Sequence, residues 1–137
     1  MRGWLLVLGI GWIRWGANGK MKPLRIDTFS FGSMVINGKQ YSSDLILYPD
    51  GHVEDSWYRK SGHRLSRNDI GNLIESELEV IIAGTGVNGL VKPERELEEM
   101  LSEKGIEFIS APNQKAVELY NELASKKRIG ACFHLAC

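Results

Sequence analysis

The sequence has few cysteines, no excess of charge of either sign and no long apolar run. Two cysteines among 137 residues exclude a disulfide-rich scaffold and favour a reducing location, for which we predict the cytoplasm. Seventeen basic residues balance seventeen acidic ones, which argues against nucleic acid as a partner because phosphate binding usually requires a basic excess. A chain of this length buries roughly two-thirds of its unfolded surface, so it can fold without disulfides or a metal.

The most apolar stretch lies near the N-terminus, in residues 3–13, and spans eleven residues. A bilayer-spanning helix needs about 20 residues, so we predict no transmembrane span. Arg14 and Trp15 follow the stretch, and no clean small-x-small cleavage site comes after them. We interpret residues 1–20 as a non-core extension, translated from a start upstream of Met21. An uncleaved interfacial anchor and a signal peptide are the alternatives, and residues 21–137 are assigned to a single domain.

The first half of that domain has the pattern of short strands separated by turns. Asn37-Gly38 lies between two strand-like runs and predicts a hairpin, because both residues accept the positive φ angles of a type I′ turn. A second run, residues 44–48, is followed by a turn at Pro49-Asp50-Gly51 and by a return strand in residues 52–56.

The second half alternates helices with strands. Ser66 and Asp69 have the spacing of a capping box, Pro93 fits the first turn of a helix, and Asn113 fits an N-cap. Strands are predicted at residues 80–83, 106–109 and 129–135. This alternation predicts an α/β fold with a mostly parallel sheet, helices on its faces and the N-terminal hairpins as an added layer.

The segment Gly84-Thr85-Gly86-Val87-Asn88-Gly89 follows a predicted strand and matches the spacing G-x-G-x-x-G. A dinucleotide site needs the third glycine in the opening turn of a helix, whereas Leu90-Val91-Lys92-Pro93 separates Gly89 from the next helix. No Gly-Lys-Ser/Thr ending is present either, so the segment is not a P-loop. We therefore predict no cofactor at this segment.

The same turn is a candidate site for a small anion. Backbone amides at Gly84, Gly86 and Gly89 can cradle an anion at the carboxyl end of a parallel strand, where open α/β sheets place ligands. Thr85 adds a hydroxyl group and Lys92 a cation. The alternative interpretation, which we favour, is that the glycines only allow a tight connection between strand and helix.

Five basic residues occur within positions 59–67. Arg59 and His63 are candidates for binding a carboxylate or phosphate, and Trp57 could wall a pocket beside them. The favoured interpretation is a solvated surface in which the basic residues pair with acidic neighbours, while Trp57 is buried, as most tryptophans are. The expected acidic partners are Asp50, Glu54 and Asp55.

The C-terminal pattern Cys132-x-His134-x-x-Cys137 offers three metal ligands and no obvious fourth, whereas structural zinc needs four. We therefore predict no metal, and we expect Cys132 to be a buried small apolar residue. No G-x-S-x-G elbow is present, and adjacent carboxylates at positions 54 and 55 would face opposite sides of a strand. No catalytic residues are assigned.

Several short phrases occur in a characteristic order along the chain. They are Phe31-Gly32-Ser33-Met34, Val35-Ile36-Asn37-Gly38, Tyr48-Pro49-Asp50-Gly51, Trp57-Tyr58-Arg59, Gly62-His63-Arg64-Leu65, Gly84-Thr85-Gly86, Glu118-Leu119-Tyr120-Asn121-Glu122-Leu123 and the ending Phe133-His134-Leu135-Ala136-Cys137. This ordered set resembles the Mth-type domain family of unknown function. The resemblance covers nearly all of residues 26–137.

The resemblance implies a three-layer α/β fold with a central mixed sheet, and no established catalytic activity. Eukaryotic relatives in that family include the adipogenesis-associated Mth-domain protein and assembly factor three of mitochondrial respiratory complex I. The assembly role of the mitochondrial relative implies protein–protein contact.

Two hypotheses of function follow. The first is a non-catalytic protein-binding or assembly-type module, which predicts an exposed patch with apolar and aromatic character. The second is a binding protein or enzyme for a small anionic ligand, which predicts a real pocket that joins residues 57–64 to the loop 84–89. Oligomeric state is left open.

Overall fold

The structure is a computed structural model that describes residues 22–136; the predicted N-terminal extension and Cys137 lie outside the described residues. A 3₁₀ turn, Arg67–Ile70, precedes the first helix. The helices are α1 (Gly71–Ile74), α2 (Arg95–Glu103) and α3 (Asn113–Leu123). The strands are β1 (Ile26–Ser30), β2 (Ser33–Ile36), β3 (Lys39–Tyr41), β4 (Leu45–Leu47), β5 (Val53–Glu54), β6 (Arg64–Leu65), β7 (Val80–Gly84), β8 (Lys92–Pro93), β9 (Glu107–Ala111) and β10 (Ile129–Phe133).

A five-stranded mixed sheet with the order β5-β4-β10-β7-β9 forms the centre of the fold. β10, β7 and β9 run parallel, whereas β4 is antiparallel to β10 and β5 is antiparallel to β4. The predicted α/β fold with a mixed central sheet is therefore confirmed. The β4–β5 hairpin extends this sheet instead of joining an added layer, because β4 is apolar and buried along its whole length and needs cover on both faces.

Side chains of the central sheet point alternately into two cores. Along β10, Ala131 and Phe133 belong to the core beneath α3, whereas Cys132 belongs to the core that also contains Leu97 and Leu101 of α2. This alternation follows from the two-residue period of a strand and creates the three layers that the resemblance implied. No helix within residues 22–136 has both the length and the apolar character to cross a membrane.

The N-terminal strands form a separate antiparallel sheet with the order β1-β2-β3. Asn37 and Gly38 connect β2 to β3 with φ angles of 49° and 83°, which confirms the predicted turn. The side chain of Asn121 on α3 accepts a hydrogen bond from the amide of Ile26 and donates one to its carbonyl, both at 2.9 Å. These two bonds attach the small sheet to the helix layer.

The predicted position of Pro93 in the first turn of a helix is wrong. Pro93 lies in β8, which pairs with β6, and α2 begins two residues later. The amides of Lys92 and Glu94 donate to the carbonyls of His63 and Leu65, both at 2.9 Å. Proline lies between these two donors, at a position where the pairing needs no N–H.

Two predicted helix caps have different outcomes. The Asp69 carboxylate accepts hydrogen bonds from the amide of Ser66 at 2.8 Å and from its hydroxyl at 2.9 Å, so the predicted pair does begin the 3₁₀ turn. Asn113, by contrast, is the first residue of α3, and Pro112 occupies the N-cap position. The Asn113 side chain makes no cap and binds other segments, as described below.

Candidate functional site

Polar side chains gather where the parallel strands β7 and β10 end. Gly84 and Phe133 face each other at these ends, and the amide of His134 donates to the carbonyl of Gly84 at 3.0 Å. Residues that follow the two strands therefore lie at one edge of the sheet, which is where open α/β folds commonly place ligands.

Asp44 connects three segments of the chain at this edge. Its Oδ1 atom accepts a hydrogen bond from the amide of Leu135 at 2.8 Å. Its Oδ2 atom lies 3.0 Å from Nη1 of Arg59 and 2.8 Å from Nδ1 of His134. Burial alone would raise the pKa of Asp44, but the hydrogen bonds from His134, Leu135 and Arg59 outweigh it and hold the pKa below its usual value.

The proton on the His134 ring is assigned from these contacts. Nδ1 of His134 lies within 3.0 Å of Nη2 of Arg59 as well as 2.8 Å from Asp44. A ring nitrogen has only one in-plane position for a proton or a lone pair, and arginine can only donate. Because the contact with the ionised carboxylate is the shorter one, we assign the proton to Nδ1, where it is donated to Asp44.

Arg59 is held in place on all sides, and its side chain is only 5% exposed. Its Nε atom donates to the carbonyl of Gly62 at 3.0 Å, and its guanidinium carbon lies 5.0 Å from the centre of the Trp57 ring. Trp57 is buried as predicted, and its indole N–H donates to the carbonyl of Asp69 at 2.9 Å.

The predicted pairing of the basic segment with Asp50, Glu54 and Asp55 is wrong for its three arginines. Arg59 pairs with Asp44, and the exposed ion pairs of the segment are Arg64–Glu94 and Arg67–Glu96. The expected carboxylates have local roles instead: Asp50 accepts a bond from the amide of His52, and Glu54 accepts one from the hydroxyl of Tyr48. Only tertiary contacts determine these partners.

Asn113 is fully buried and connects the glycine-rich loop to the C-terminal segment. Its side-chain oxygen accepts from the amide of Gly86 at 3.0 Å, and its side-chain nitrogen donates to the carbonyl of His134 at 2.8 Å. A Cβ atom at Gly84 would lie 2.6 Å from that same oxygen and would overlap the Phe133 ring. Gly84 is therefore required by close approach.

Most backbone amides of the loop 85–91 already have acceptors within the fold. Besides the amide of Gly86, those of Thr85 and Val87 donate to Ala111 and Ala136 at 2.9 Å, and that of Gly89 donates to Gly86 at 3.2 Å. This arrangement favours the interpretation that the glycines allow a tight connection. The Thr85 hydroxyl is buried and the Lys92 ammonium is exposed, and the anion site at this loop stays a prediction.

The segment 57–64 is linked to the loop 84–89 through Lys92 and His134, which are the neighbours of that loop in the fold. The amide of Lys92 binds the carbonyl of His63 at 2.9 Å, and the rings of His63 and His134 lie 6.2 Å apart, edge to face. Sequence reasoning missed Asp44 and the bridging role of Asn113, and it considered His134 only as a metal ligand. Nothing in the local sequence of these three residues indicates that they meet.

Four large apolar side chains are exposed in the described part of the chain, and all four lie around this edge. Phe31 (68% exposed) precedes Gly32, whose amide binds the carbonyl of Leu135. Val87 is 38% exposed, and its amide donates to the carbonyl of Ala136, the residue after Leu135. Tyr58 (79%) and Leu90 (46%) lie on the two segments joined by the His63–Lys92 bond. We call these four residues, with the exposed Lys60, His63 and Lys92, the edge surface.

Two other features of the fold are distinct from this surface. Burial raises the pKa of the Cys132 thiol to about 12, so this sulfur is no nucleophile at neutral pH.

A shallow depression, whose lining includes Lys22, Pro49, Tyr120 and Ile129, lies at the start of β10. That position is about 13 Å from the strand end, given the rise per residue of a strand. None of the predicted site residues lines the depression.

Comparison with known proteins supports the fold and the resemblance. Residues 26–134 match the family described as "Protein of unknown function (DUF498/DUF598)". The chain is similar to the conserved hypothetical protein PH1505 from Pyrococcus horikoshii OT3, with 28% identity, a TM-score of 0.74 and coverage of 82% of this chain and 99% of that one. It is also similar to the protein MT938, with 25% identity, a TM-score of 0.69 and coverage of 83% and 99%.

A more distant structure shares the fold alone. A Mth938-like domain protein from Bordetella pertussis is 16% identical with a TM-score of 0.57, and the match covers 81% of this chain and 85% of that one. Together with the similarity to MT938, this match confirms the predicted resemblance to Mth-type domains.

Proposed function

The chain belongs to the protein family of unknown function DUF498/DUF598, and on that premise we propose that it is a non-catalytic protein-binding module that docks its partner through the edge surface. The observation that carries this proposal is the clustering of Phe31, Tyr58, Val87 and Leu90 around one edge of the sheet. Single exposed apolar residues need no explanation, but a cluster of them rimmed by polar groups is typical of an interaction site.

Hydrogen bonds join the backbone segments that carry the edge surface. Asp44 connects the segment that contains Arg59 to the C-terminal segment. Asn113 connects the C-terminal segment to the loop that contains Val87. A preorganised surface loses little conformational entropy on binding. Tyrosine and phenylalanine, both present here, are also enriched at protein interfaces.

The groups near the surface are poorly suited to catalysis. The Cys132 thiol is buried, and its raised pKa keeps it protonated at neutral pH. Asp44 is occupied by three donors and serves to hold the backbone. We also infer that residues 21–137 act as one domain and that the protein works in the cytoplasm, for which its low cysteine content is the support.

Peptide selection tests the proposal. Random peptides displayed on phage are selected against the full chain, and recovered peptides are measured on the variant Tyr58→Ser/Leu90→Ser. We expect their affinity to fall about tenfold or more, because aromatic and aliphatic anchors dominate interface energies. Val35→Ser, which changes a half-exposed apolar residue of β2 outside the surface, is the control. Peptides that bind both variants equally would show that the surface is not the docking site.

A small anionic ligand at the same edge is the second candidate function. It is favoured by the backbone hydrogen bond from the amide of Lys92 to the carbonyl of His63, which joins the basic segment to the residues that follow the glycine-rich loop. A thermal-shift screen with phosphates, nucleotides and carboxylates tests it, because a ligand of the native state raises the midpoint. A shift that disappears in Lys92→Ala would support this function, and no shift across the panel would count against it.

A further inference from the structure

We propose that the edge surface recognises an acidic polypeptide segment in which apolar side chains accompany the carboxylates. This inference rests on the proposed protein-binding function and names its partner by chemistry. It starts from the way in which cations and apolar residues are interleaved on the two segments that build the surface.

Each of the two segments presents an apolar residue and a lysine on the same side. Along residues 57–60, Trp57 and the Arg59 side chain are buried, whereas Tyr58 and Lys60 are exposed. Along residues 90–92, Val91 is buried between the exposed Leu90 and Lys92. In extended chain, residues two apart share a face. Each segment therefore presents one apolar side chain and one lysine to solvent.

The lysines of the surface have no carboxylate partner within the described residues, and carboxylates of the neighbouring segments bind other groups, as Glu94 binds Arg64. Asp44 is occupied by Arg59, His134 and the amide of Leu135. Asp69 accepts from the amide of Lys60 and from both donors of Ser66. No ion pair of Lys60 or Lys92 occurs in residues 22–136.

Zero net charge of the whole chain does not prevent a local excess of cations. Exposed carboxylates occur on α2, at Glu96, Glu98, Glu99 and Glu103, and on several other elements, whereas the seven residues of the edge surface include two lysines and no carboxylate. A local cationic field attracts an acidic partner and repels a basic one, regardless of the total charge. Charge complementarity and the interleaved apolar groups thus select an acidic, apolar-containing segment.

Three synthetic peptides test the inference on the full chain. Each has leucine or phenylalanine at alternate positions; the intervening residues are Glu in the first peptide, Gln in the second and Lys in the third. We expect the Glu peptide to bind most tightly in fluorescence anisotropy, with an affinity that falls as salt is added. We expect Lys60→Glu/Lys92→Glu to weaken that peptide about tenfold and to favour the Lys peptide instead.

The control variant, Lys104→Glu/Lys126→Glu, reverses the charge of two exposed lysines at the opposite edge of the sheet. It should change the affinity for the Glu peptide by less than about twofold. The Glu and Gln peptides could bind the wild type equally, and both could fail to bind Tyr58→Ser/Leu90→Ser. That result would overturn the acidic preference and leave the protein-binding function standing. Binding that neither edge variant weakens would overturn both. Failure of the Glu peptide to bind at about 1 mM would overturn the inference alone. The inference would also be overturned if the unliganded chain sedimented as a dimer and the edge variants as monomers, because a second copy of the chain would then occupy the surface.

Discussion

Replacing Asp44 by asparagine removes the charge that joins three segments at the strand ends. The variant keeps one side-chain oxygen, which cannot accept all three hydrogen bonds that the carboxylate receives from Leu135, Arg59 and His134. Arg59 is left almost fully buried without its counterion. Removing one partner of a buried pair costs about 3–5 kcal/mol, and because Asp44 and His134 are partly exposed we expect the lower end, about 3 kcal/mol.

The loss should depend on pH, and its sign follows from the lowered pKa of Asp44. A carboxyl whose folded pKa is depressed contributes stability above its unfolded value, here close to 3.8, and this contribution is lost as pH falls through the folded pKa. We therefore expect the full difference between Asp44→Asn and the wild type at neutral pH. The difference should shrink as the pH falls below 3.8 and through the lowered pKa of the folded state, where the wild-type carboxylate becomes protonated.

Urea unfolding followed by far-ultraviolet circular dichroism measures both effects. Asp55→Asn, which changes an exposed carboxylate in the same half of the chain, is the control and should cost less than about 0.5 kcal/mol. If Asp44→Asn lost less than about 1 kcal/mol at neutral pH, the buried pair would not hold the edge together. A loss of equal size at neutral and acid pH would refute the assignment of the effect to the Asp44 charge.

Three further predictions concern the buried parts of the same edge. Gly84→Ala should lose about 3 kcal/mol in the same unfolding assay, because its Cβ would overlap Phe133 and Asn113, whereas Gly62→Ala, which meets nothing within 4 Å, should be almost neutral. Asn113→Ala should lose about 2–3 kcal/mol and speed hydrogen exchange of the Gly86 amide, whose acceptor it removes; unchanged exchange would contradict the bridging role. In a Cys137→Ser background, Cys132 should react with a thiol reagent only as fast as the chain opens, since burial raises its pKa to about 12, and rapid modification of the native protein would disprove this.

Local chemistry was sufficient wherever an element depends on its own residues. Asn37-Gly38 predicted the β2–β3 hairpin because few other residue pairs accept two positive φ angles. The apolar run in residues 80–83 predicted a strand, and β7 is buried throughout.

Contacts between distant segments could not be predicted in this way. Pro93 was expected to begin a helix because proline is common there, but pairing with residues about thirty positions earlier made it part of β8. Asn113 was expected to cap its own helix, yet its side chain binds a loop and the C-terminal segment. The sequence analysis singled out both residues, but it assigned each of them the wrong contact partner.

Local sequence patterns were sufficient to predict the alternation of strands and helices, the turns and the burial of Trp57 and Cys132, because each depends on residues a few positions apart. The meeting of Asp44, Arg59 and His134 depends on the tertiary structure, as does the position of the exposed large apolar residues in the described part of the chain, which lie on segments that are hydrogen-bonded at the same edge. These residues meet because parallel strands end together at one edge of a sheet. Segments up to about ninety residues apart in sequence become neighbours there, and no local pattern records the meeting.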